Sequence, residues 1–119
     1  MTMSNLPFFD RKDLPRPRKG RPAPDRLIGG NPRFLTWDIA QTSDGVIRSG
    51  MWEVTLGVDR SIKGTTFEFC DILSGVSKLI EDGKVSRRMT AGDAFVMHPG
   101  FIGVWKVIET TRKLWVCHD

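Results

Sequence analysis

Two side chains capable of acid–base or nucleophilic chemistry stand two residues apart in the most strand-like part of the sequence. Glu68 and Cys70 lie within 65–73, a run rich in β-branched and aromatic residues. Because side chains alternate across a strand, we expect both to point to one face, together with Ile72. A carboxylate buried among apolar groups can act as a general acid or base, and a thiol activated by a nearby base can act as a nucleophile. Glu68 is therefore the candidate catalytic group.

Both side chains also have a structural interpretation. Glu68 can be a buried polar group whose charge is satisfied by Lys113 or by a backbone donor. No histidine partner for Cys70 is evident in the sequence, which favours an inert buried thiol over a nucleophile. The sequence leaves both interpretations of Glu68 open.

The elements that must position these residues are short strands. From Phe34 onward, β-branched and aromatic runs alternate with turn signals, and no window of ten or more residues has a helical period. A polar loop is predicted over Gly57–Gly64. The pattern predicts strands over 34–39, 46–56, 65–73, 76–81, 85–89, 94–97, 103–109 and 113–118. Short strands at this spacing indicate an all-β sandwich or barrel.

The chain divides into a basic, Pro-rich flexible arm, residues 1–26, and a globular domain, residues 27–119. Six of the seven prolines fall at or before Pro32, and proline is excluded from helix interiors and inner strands. Residues 1–30 hold seven Lys or Arg and three Asp, which accounts for the whole net charge of +4. The arm has no aromatic residues interleaved with its charges, which argues against nucleic acid as a partner. An apolar patch in the arm (Leu6, Phe8 and Phe9) suits docking on the domain or on a second subunit.

Cysteine usage and hydropathy bear on the location of the protein. Cys70 and Cys117 are too few for a disulfide framework. No segment has the apolar core of a signal peptide or approaches the roughly 18 apolar residues of a membrane span. We therefore predict a soluble, cytoplasmic protein without a membrane partner.

Four segments resemble the cupin superfamily. They are 49–54, 67–75, 91–100 and 103–107 with 111–113 after it. The similarity runs from about Leu27 to Val116 and is most specific between Gly92 and Trp105. More narrowly, the chain resembles the subfamily named for the cupin domain of (S)-ureidoglycine aminohydrolase, formerly a domain of unknown function. The resemblance implies a double-stranded β-helix, a jelly-roll-like barrel open at one end.

Cupins usually bind a divalent metal through three histidines and one glutamate, and the resemblance places these positions on the chain. Glu68 takes the glutamate position, seven residues before Gly75. The three histidine positions fall on Ile62, Gly64 and Gly103, while the two histidines present are His98, at a turn, and His118. One carboxylate and one thiol do not hold a transition ion tightly. We therefore predict no metal and no cofactor, and the manganese-dependent ureidoglycine reaction does not follow from the resemblance.

The barrel implied by the resemblance also defines a candidate pocket. If the position of Gly103 faces inward, Trp105 does too. The predicted ligand-binding residues beside Glu68 are Trp52, Cys70, Phe95, Trp105 and Lys113, with Met97 nearby. Tryptophan faces hold planar or cationic ligands, but they can equally fill the space that metal and water would occupy.

Three functions follow as hypotheses. The first is a metal-independent cupin that binds a small polar or cationic metabolite, in nitrogen-compound metabolism as the subfamily name suggests. The second is an aminohydrolase-like enzyme with a metal site built on Glu68, Cys70 and His98. The third is a non-catalytic dimeric accessory or regulatory protein. We expect a homodimer, since small cupins commonly pair sheet to sheet.

Overall fold

The computed structural model describes residues 4–119. All regular structure in this range is β-strand, as the sequence predicts, so no helix there is long and apolar enough to span a membrane. The nine strands are β1 (Arg18–Gly20), β2 (Leu27–Gly30), β3 (Phe34–Gln41), β4 (Ile47–Val54), β5 (Gly57–Ile62), β6 (Phe67–Glu81), β7 (Arg87–Met89), β8 (Ala94–Met97) and β9 (Ile102–His118).

The two longest strands, β6 and β9, are antiparallel neighbours at the centre of the sheet. Their pairing runs from Phe67 opposite His118 to Glu81 opposite Gly103. The prediction that each consists of two separate strands was wrong, because both strands continue through a bulged bend. Gly75 makes the bend possible: its φ is +87°, and a Cβ there would lie 2.1 Å from the carbonyl oxygen of Thr110.

The bend divides the sheet into two halves that face each other. β4 pairs with the C-terminal part of β9 and β5 with its N-terminal part, both on the edge opposite β6. One half therefore has the order β1-β3-β4-β9-β6-β8 and the other β2-β5-β9-β6-β7. Apolar side chains from both halves meet between them and form the core, which contains Val54, Cys70, Ile72, Met89, Met97, Trp105 and Val107.

The predicted polar loop over 57–64 was also wrong, because most of it is the strand β5. Its residues alternate, and the polar ones on one face, Asp59 and Ser61, line an internal cavity instead of solvent. A polar inner face hides the hydrophobic alternation by which a strand is normally recognised. By contrast, β8 has the predicted bounds, 94–97.

The basic segment before the domain is tied to both halves of the sheet. β1 pairs with the outer edge of β3, a place where proline-flanked segments are tolerated, and β2 pairs with β5. Residues 21–26 therefore cross from one half to the other. The predicted patch in the arm has Leu6 and Phe8 exposed and Phe9 half-buried. The flexibility of residues 1–26 stays a prediction, and residues 1–3 lie outside the described range.

Candidate functional site

A cavity of about 570 Å³ lies between the two halves of the sheet, beneath the crossing segment 21–26. Side chains from β3, β4, β5, β6, β8 and β9 form its walls. The structure brings five of the sequence-predicted residues to these walls, namely Trp52, Glu68, Met97, Trp105 and Lys113. Most of the predicted pocket is thus assembled in one place.

Glu68 is a buried carboxylate on the wall of the cavity. It is 5% exposed, and Cys70 and Ile72 are buried on the same face, as strand alternation predicts. One carboxylate oxygen accepts a hydrogen bond from Lys113 Nζ at 2.7 Å, and the other accepts one from Lys63 Nζ. Burial by itself would raise the pKa of Glu68, but the two ammonium groups outweigh it and lower the pKa to about 2. A carboxylate held ionised in this way is a poor general acid at neutral pH.

The ammonium group of Lys113 lies against two indole rings that pack edge to face on each other, with centroids 5.5 Å apart. Its Nζ lies 4.5 Å from the Trp52 ring centroid and 4.8 Å from that of Trp105, distances at which a cation interacts with an aromatic face. Burial alone would lower the pKa of Lys113, but the ion pair with Glu68 offsets this and keeps the pKa above its ordinary value. The aromatic cage expected for a ligand therefore already contains a cation of the protein itself.

Cys70 lies behind this ion pair and does not line the cavity. Its thiol donates a hydrogen bond to Glu68 Oε2 at 3.2 Å and accepts one from Lys113 Nζ at 3.4 Å. Burial raises the pKa of Cys70 to about 12. The thiol is protonated at neutral pH, which agrees with the structural interpretation and argues against a nucleophile.

Trp105 is held in place by a buried chain of hydroxyl groups. Its indole Nε1 donates a hydrogen bond to Ser77 Oγ at 3.1 Å, and Ser77 Oγ lies 2.6 Å from Thr111 Oγ1. Ser77 and Thr111 are both fully buried. The indole therefore has a fixed orientation, and the wall that it forms is preorganised.

Phe95, like Cys70, is a predicted ligand-binding residue that does not line this cavity. It packs on the far side of Trp105, with ring centroids 6.1 Å apart, and lines a second cavity of about 610 Å³ between β6, β7 and β8. His98 also lines this second cavity and packs edge to face against Phe67. Phe95 is paired with Cys70, whereas Glu68 is paired with Met97, so Phe95 lies two residues farther along the same inner face. Met97 lines both cavities.

Sequence reasoning missed the contribution of β5. Asp59, Ser61 and Lys63 follow one another at two-residue spacing and all line the cavity. Burial raises the pKa of Asp59 to about 6, although Lys113, Arg26 and Lys63 act in the opposite direction. The alternation of polar residues from position 59 to 63 was the available signal, and it was masked by interpreting this stretch as a loop.

The residues present do not fit the divalent metal that the cupin resemblance implies. Both oxygens of Glu68 are engaged by ammonium groups, and Cys70 is protonated. Of the positions expected to carry histidines, Gly64 and Gly103 have no side chain and Ile62 has an apolar one. Within residues 4–119, no three His, Cys, Asp or Glu side chains are placed to hold a metal ion. The hypothetical site of Glu68, Cys70 and His98 is not assembled.

Comparison with known proteins identifies the family. Residues 41–115, more than half of the chain, match the family model of the EutQ-like cupin domain. The chain belongs to the EutQ-like cupin domain family. The predicted cupin barrel is thereby confirmed, whereas the narrower ureidoglycine aminohydrolase subfamily stays a prediction. No curated protein matches the sequence.

Solved structures share the fold of this cupin. A protein of unknown function from Pseudomonas syringae pv. tomato str. DC3000 is similar with a TM-score of 0.79 and 21% identity, over 92% of this chain and 46% of that protein. The chain thus spans about half the length of that relative. A putative ethanolamine utilization protein Q from Salmonella typhimurium LT2 has a TM-score of 0.62 and 17% identity, over 71% of this chain and 68% of that one. Ectoine synthase from P. lautus has a TM-score of 0.64 and 14% identity, over 71% of this chain and 63% of the enzyme. At these identities the likeness concerns the fold alone.

Proposed function

We propose that this cupin binds a small polar organic molecule in the cavity beneath residues 21–26, and that it does so without a metal. The observation that supports the proposal is the arrangement of Lys63, Glu68 and Lys113. The glutamate at the metal-ligand position of the cupin resemblance has each of its oxygens bound to a lysine. A divalent cation would have to displace two ammonium groups and would be repelled by both.

The cavity has the size and lining of a small-molecule site. Its volume, about 570 Å³, lies in the range of ligand pockets, and it combines indole faces with a few fixed polar groups. Sequence reasoning allowed a polar or a cationic ligand. Because the ammonium group of Lys113 already lies against the rings of Trp52 and Trp105, we favour a polar ligand that is not cationic.

Binding is better supported than catalysis. Glu68, the candidate proton-transfer group, is held ionised by its two lysines, and the Cys70 thiol is protonated. A role in nitrogen-compound metabolism and membership of the ureidoglycine subfamily remain hypotheses that rest on the sequence resemblance. A ureidoglycine-type reaction would need a manganese site for which the donor groups are wrong.

Two measurements test this function. Metal analysis of protein purified without chelator should find no stoichiometric manganese, iron or zinc, and a full equivalent of any of them would contradict the proposal. Metabolites that raise the melting temperature should bind in the cavity, so Thr36→Trp, which fills it from β3, should abolish the shift. The control Thr65→Trp, on an exposed loop, should leave the shift intact. Ligands that bind both variants equally would show that the cavity is not the site.

We also propose a cytoplasmic homodimer, as the sequence suggests. Phe69 on β6 is paired with Val96 on β8 and Val116 on β9, and the three side chains form an apolar row on the outer face of the sheet. They are 38%, 40% and 37% exposed. Such a row, away from the cavity, suits sheet-to-sheet contact with a second copy. The same apolar row is compatible with the hypothesis of a dimeric accessory or regulatory protein.

A further inference from the structure

The basic segment before the domain forms one wall of the ligand cavity. Residues 21–26 cross from the edge of β3, where β1 is paired, to the edge of β5, where β2 is paired. The crossing is anchored to β5 where Arg60 N donates a hydrogen bond to the carbonyl of Arg26 at 2.8 Å, and a turn in which Leu27 N donates to the carbonyl of Ala23 at 3.1 Å shapes its end. Arg21 and Arg26 both line the cavity while remaining exposed at its mouth. These arginines are therefore positioned to contact a bound molecule.

The charges around the cavity are strongly unbalanced. Three acidic side chains line it, and one of them, Glu68, is fully engaged by lysines. Six cationic side chains line it, namely Arg21, Arg26, Arg48, Arg60, Lys63 and Lys113. Residues 31–119 as a whole carry equal numbers of each sign. The positive excess is thus concentrated at this cavity, where low-dielectric walls strengthen its attraction for an anion.

Two buried donors on the cavity wall lack an acceptor. Arg48 Nε and Trp115 Nε1 have no hydrogen-bond partner among residues 4–119. Arg48 lies opposite Cys117, and Trp115 lies opposite Gly50, so the two side chains are diagonal neighbours on adjacent strands and within reach of each other. Buried N–H groups are normally paired. A ligand group rich in acceptor atoms, placed beside Arg48 Nε and Trp115 Nε1, would supply the hydrogen-bond acceptors that these two donors lack.

The mouth of the cavity has free positive charge as well. Arg60 is paired with Asp82, and Arg48 is paired through its Nη2 with Asp119. Arg21 and Arg26, in contrast, form no ion pair with any of the described residues. The crossing segment therefore brings two guanidinium groups that form no ion pair to the opening of a cationic cavity.

We propose that the ligand is a small organic anion, and that Arg21 and Arg26 of the crossing segment are part of its binding site. This inference rests on the proposed function, since it names the ligand class for the same cavity. The anionic group, a carboxylate or a phosphate, accepts hydrogen bonds from guanidinium groups of the arm and of β4. The basic arm then acts as a wall that binds the ligand, and docking of the arm and binding of the anion stabilise each other.

A matched set of probes tests the charge preference on the full chain. Succinate, succinamide and 1,4-diaminobutane share a four-carbon skeleton and carry negative, zero and positive charge. Three of the four tryptophans line the cavity, so binding is read from tryptophan fluorescence and confirmed by calorimetry. We expect succinate to bind at least tenfold more tightly than succinamide and the diamine not to bind. Inorganic phosphate that competes with succinate indicates a site for anions in general, and its failure to compete indicates a carboxylate site.

Paired variants test the role of the arm. The double substitution Arg21→Gln/Arg26→Gln should weaken succinate binding at least tenfold without changing the melting temperature of the free protein. The control Arg11→Gln/Arg16→Gln removes the same charge from arm residues that do not line the cavity, and it should change affinity less than twofold. Equal loss in the two double variants would show that the arm acts only through its net charge and would overturn the inference.

The outcomes separate this inference from the proposed function. If succinamide binds as tightly as succinate and Thr36→Trp blocks both, the anion preference is wrong while the cavity remains the binding site. The same conclusion holds if the diamine binds best, or if neither succinate nor phosphate binds while an uncharged metabolite does. If Thr36→Trp weakens the binding of no ligand, whatever its charge, the proposed function fails as well.

Discussion

Replacing Glu68 by glutamine is the most direct perturbation of the ion-paired centre. Glutamine has the shape of a protonated glutamic acid, so Glu68→Gln removes the negative charge with little change in volume. It leaves Lys63 and Lys113 close together without the carboxylate that binds them. Breaking a buried pair by removing one partner is strongly destabilising, because the remaining charge stays buried and uncompensated.

The size of the effect follows from the shifted titration of this carboxyl group. The two lysines lower the pKa of Glu68 from 4.5 to about 2 despite its burial. At about 1.4 kcal/mol for each pKa unit, the ionised form is favoured in the folded protein by about 3 kcal/mol relative to the neutral form. Since glutamine imitates the neutral form, Glu68→Gln should lower the free energy of unfolding by about 3 kcal/mol at pH 7. This corresponds to a fall of about 10 °C in melting temperature.

The lowered pKa of Glu68 also predicts how the stability difference between wild type and Glu68→Gln changes with pH. A lowered pKa in the folded state means that the stabilisation is fully present above the unfolded pKa and is lost as the pH falls through the folded value. The difference in stability between wild type and Glu68→Gln should therefore be constant from pH 8 to about pH 5 and shrink between pH 4.5 and pH 2. Urea denaturation followed by tryptophan fluorescence, at pH 7 and at pH 3, measures both differences.

A second glutamate provides the control. Glu53 is paired with Arg112, but its side chain is 24% exposed, so Glu53→Gln should cost less than about 1 kcal/mol. A double-mutant cycle with Lys113→Met should show a coupling of about 1–3 kcal/mol between Glu68 and Lys113. The reasoning is refuted if Glu68→Gln is as stable as the wild type, or if its deficit is equally large at pH 7 and at pH 3.

Four further predictions concern other parts of the molecule. Gly75→Ala should cost about 3 kcal/mol or more in urea denaturation, because of the positive φ and the carbonyl 2.1 Å from the new Cβ, whereas Gly64→Ala, with open space around it, should cost about 1 kcal/mol. Burial raises the pKa of Asp59 to about 6, so ionisation opposes folding above that pH; Asp59→Asn should be more stable than wild type at pH 8, and the gain should shrink as the pH falls from 6 to 4. In a Cys117→Ser variant, the Cys70 thiol should react with a thiol reagent only after denaturant is added, and rapid labelling of that native variant would show that Cys70 is accessible. Phe69→Lys should convert the proposed dimer to a monomer in sedimentation without lowering the melting temperature of the monomer, and a monomeric wild type would remove the basis of the dimer.

The sequence by itself determined the local features of this protein. Two-residue alternation places Glu68, Cys70 and Ile72 on one buried face, and it holds in the structure because it depends only on the geometry of a single strand. The count and positions of the histidines showed that the usual metal ligands of a cupin are missing. Turn and strand patterns were sufficient for the all-β class, and the resemblance identified the cupin fold.

The tertiary structure decided which side chains meet, because strand register brings together residues far apart in the chain. Lys113 reaches Glu68 only because β9 lies beside β6, and the contact of Lys63 with Glu68 depends on β5, whose polar inner face resembles a loop in the sequence. The register also pairs Phe95 with Cys70 and not with Glu68, which places its side chain at the second cavity. Local pattern also gave no indication that the basic segment bridges both halves of the sheet, since its pairing with β3 and β5 is a long-range interaction. The charge of the cavity, and with it the class of ligand, is therefore a property of the assembled fold.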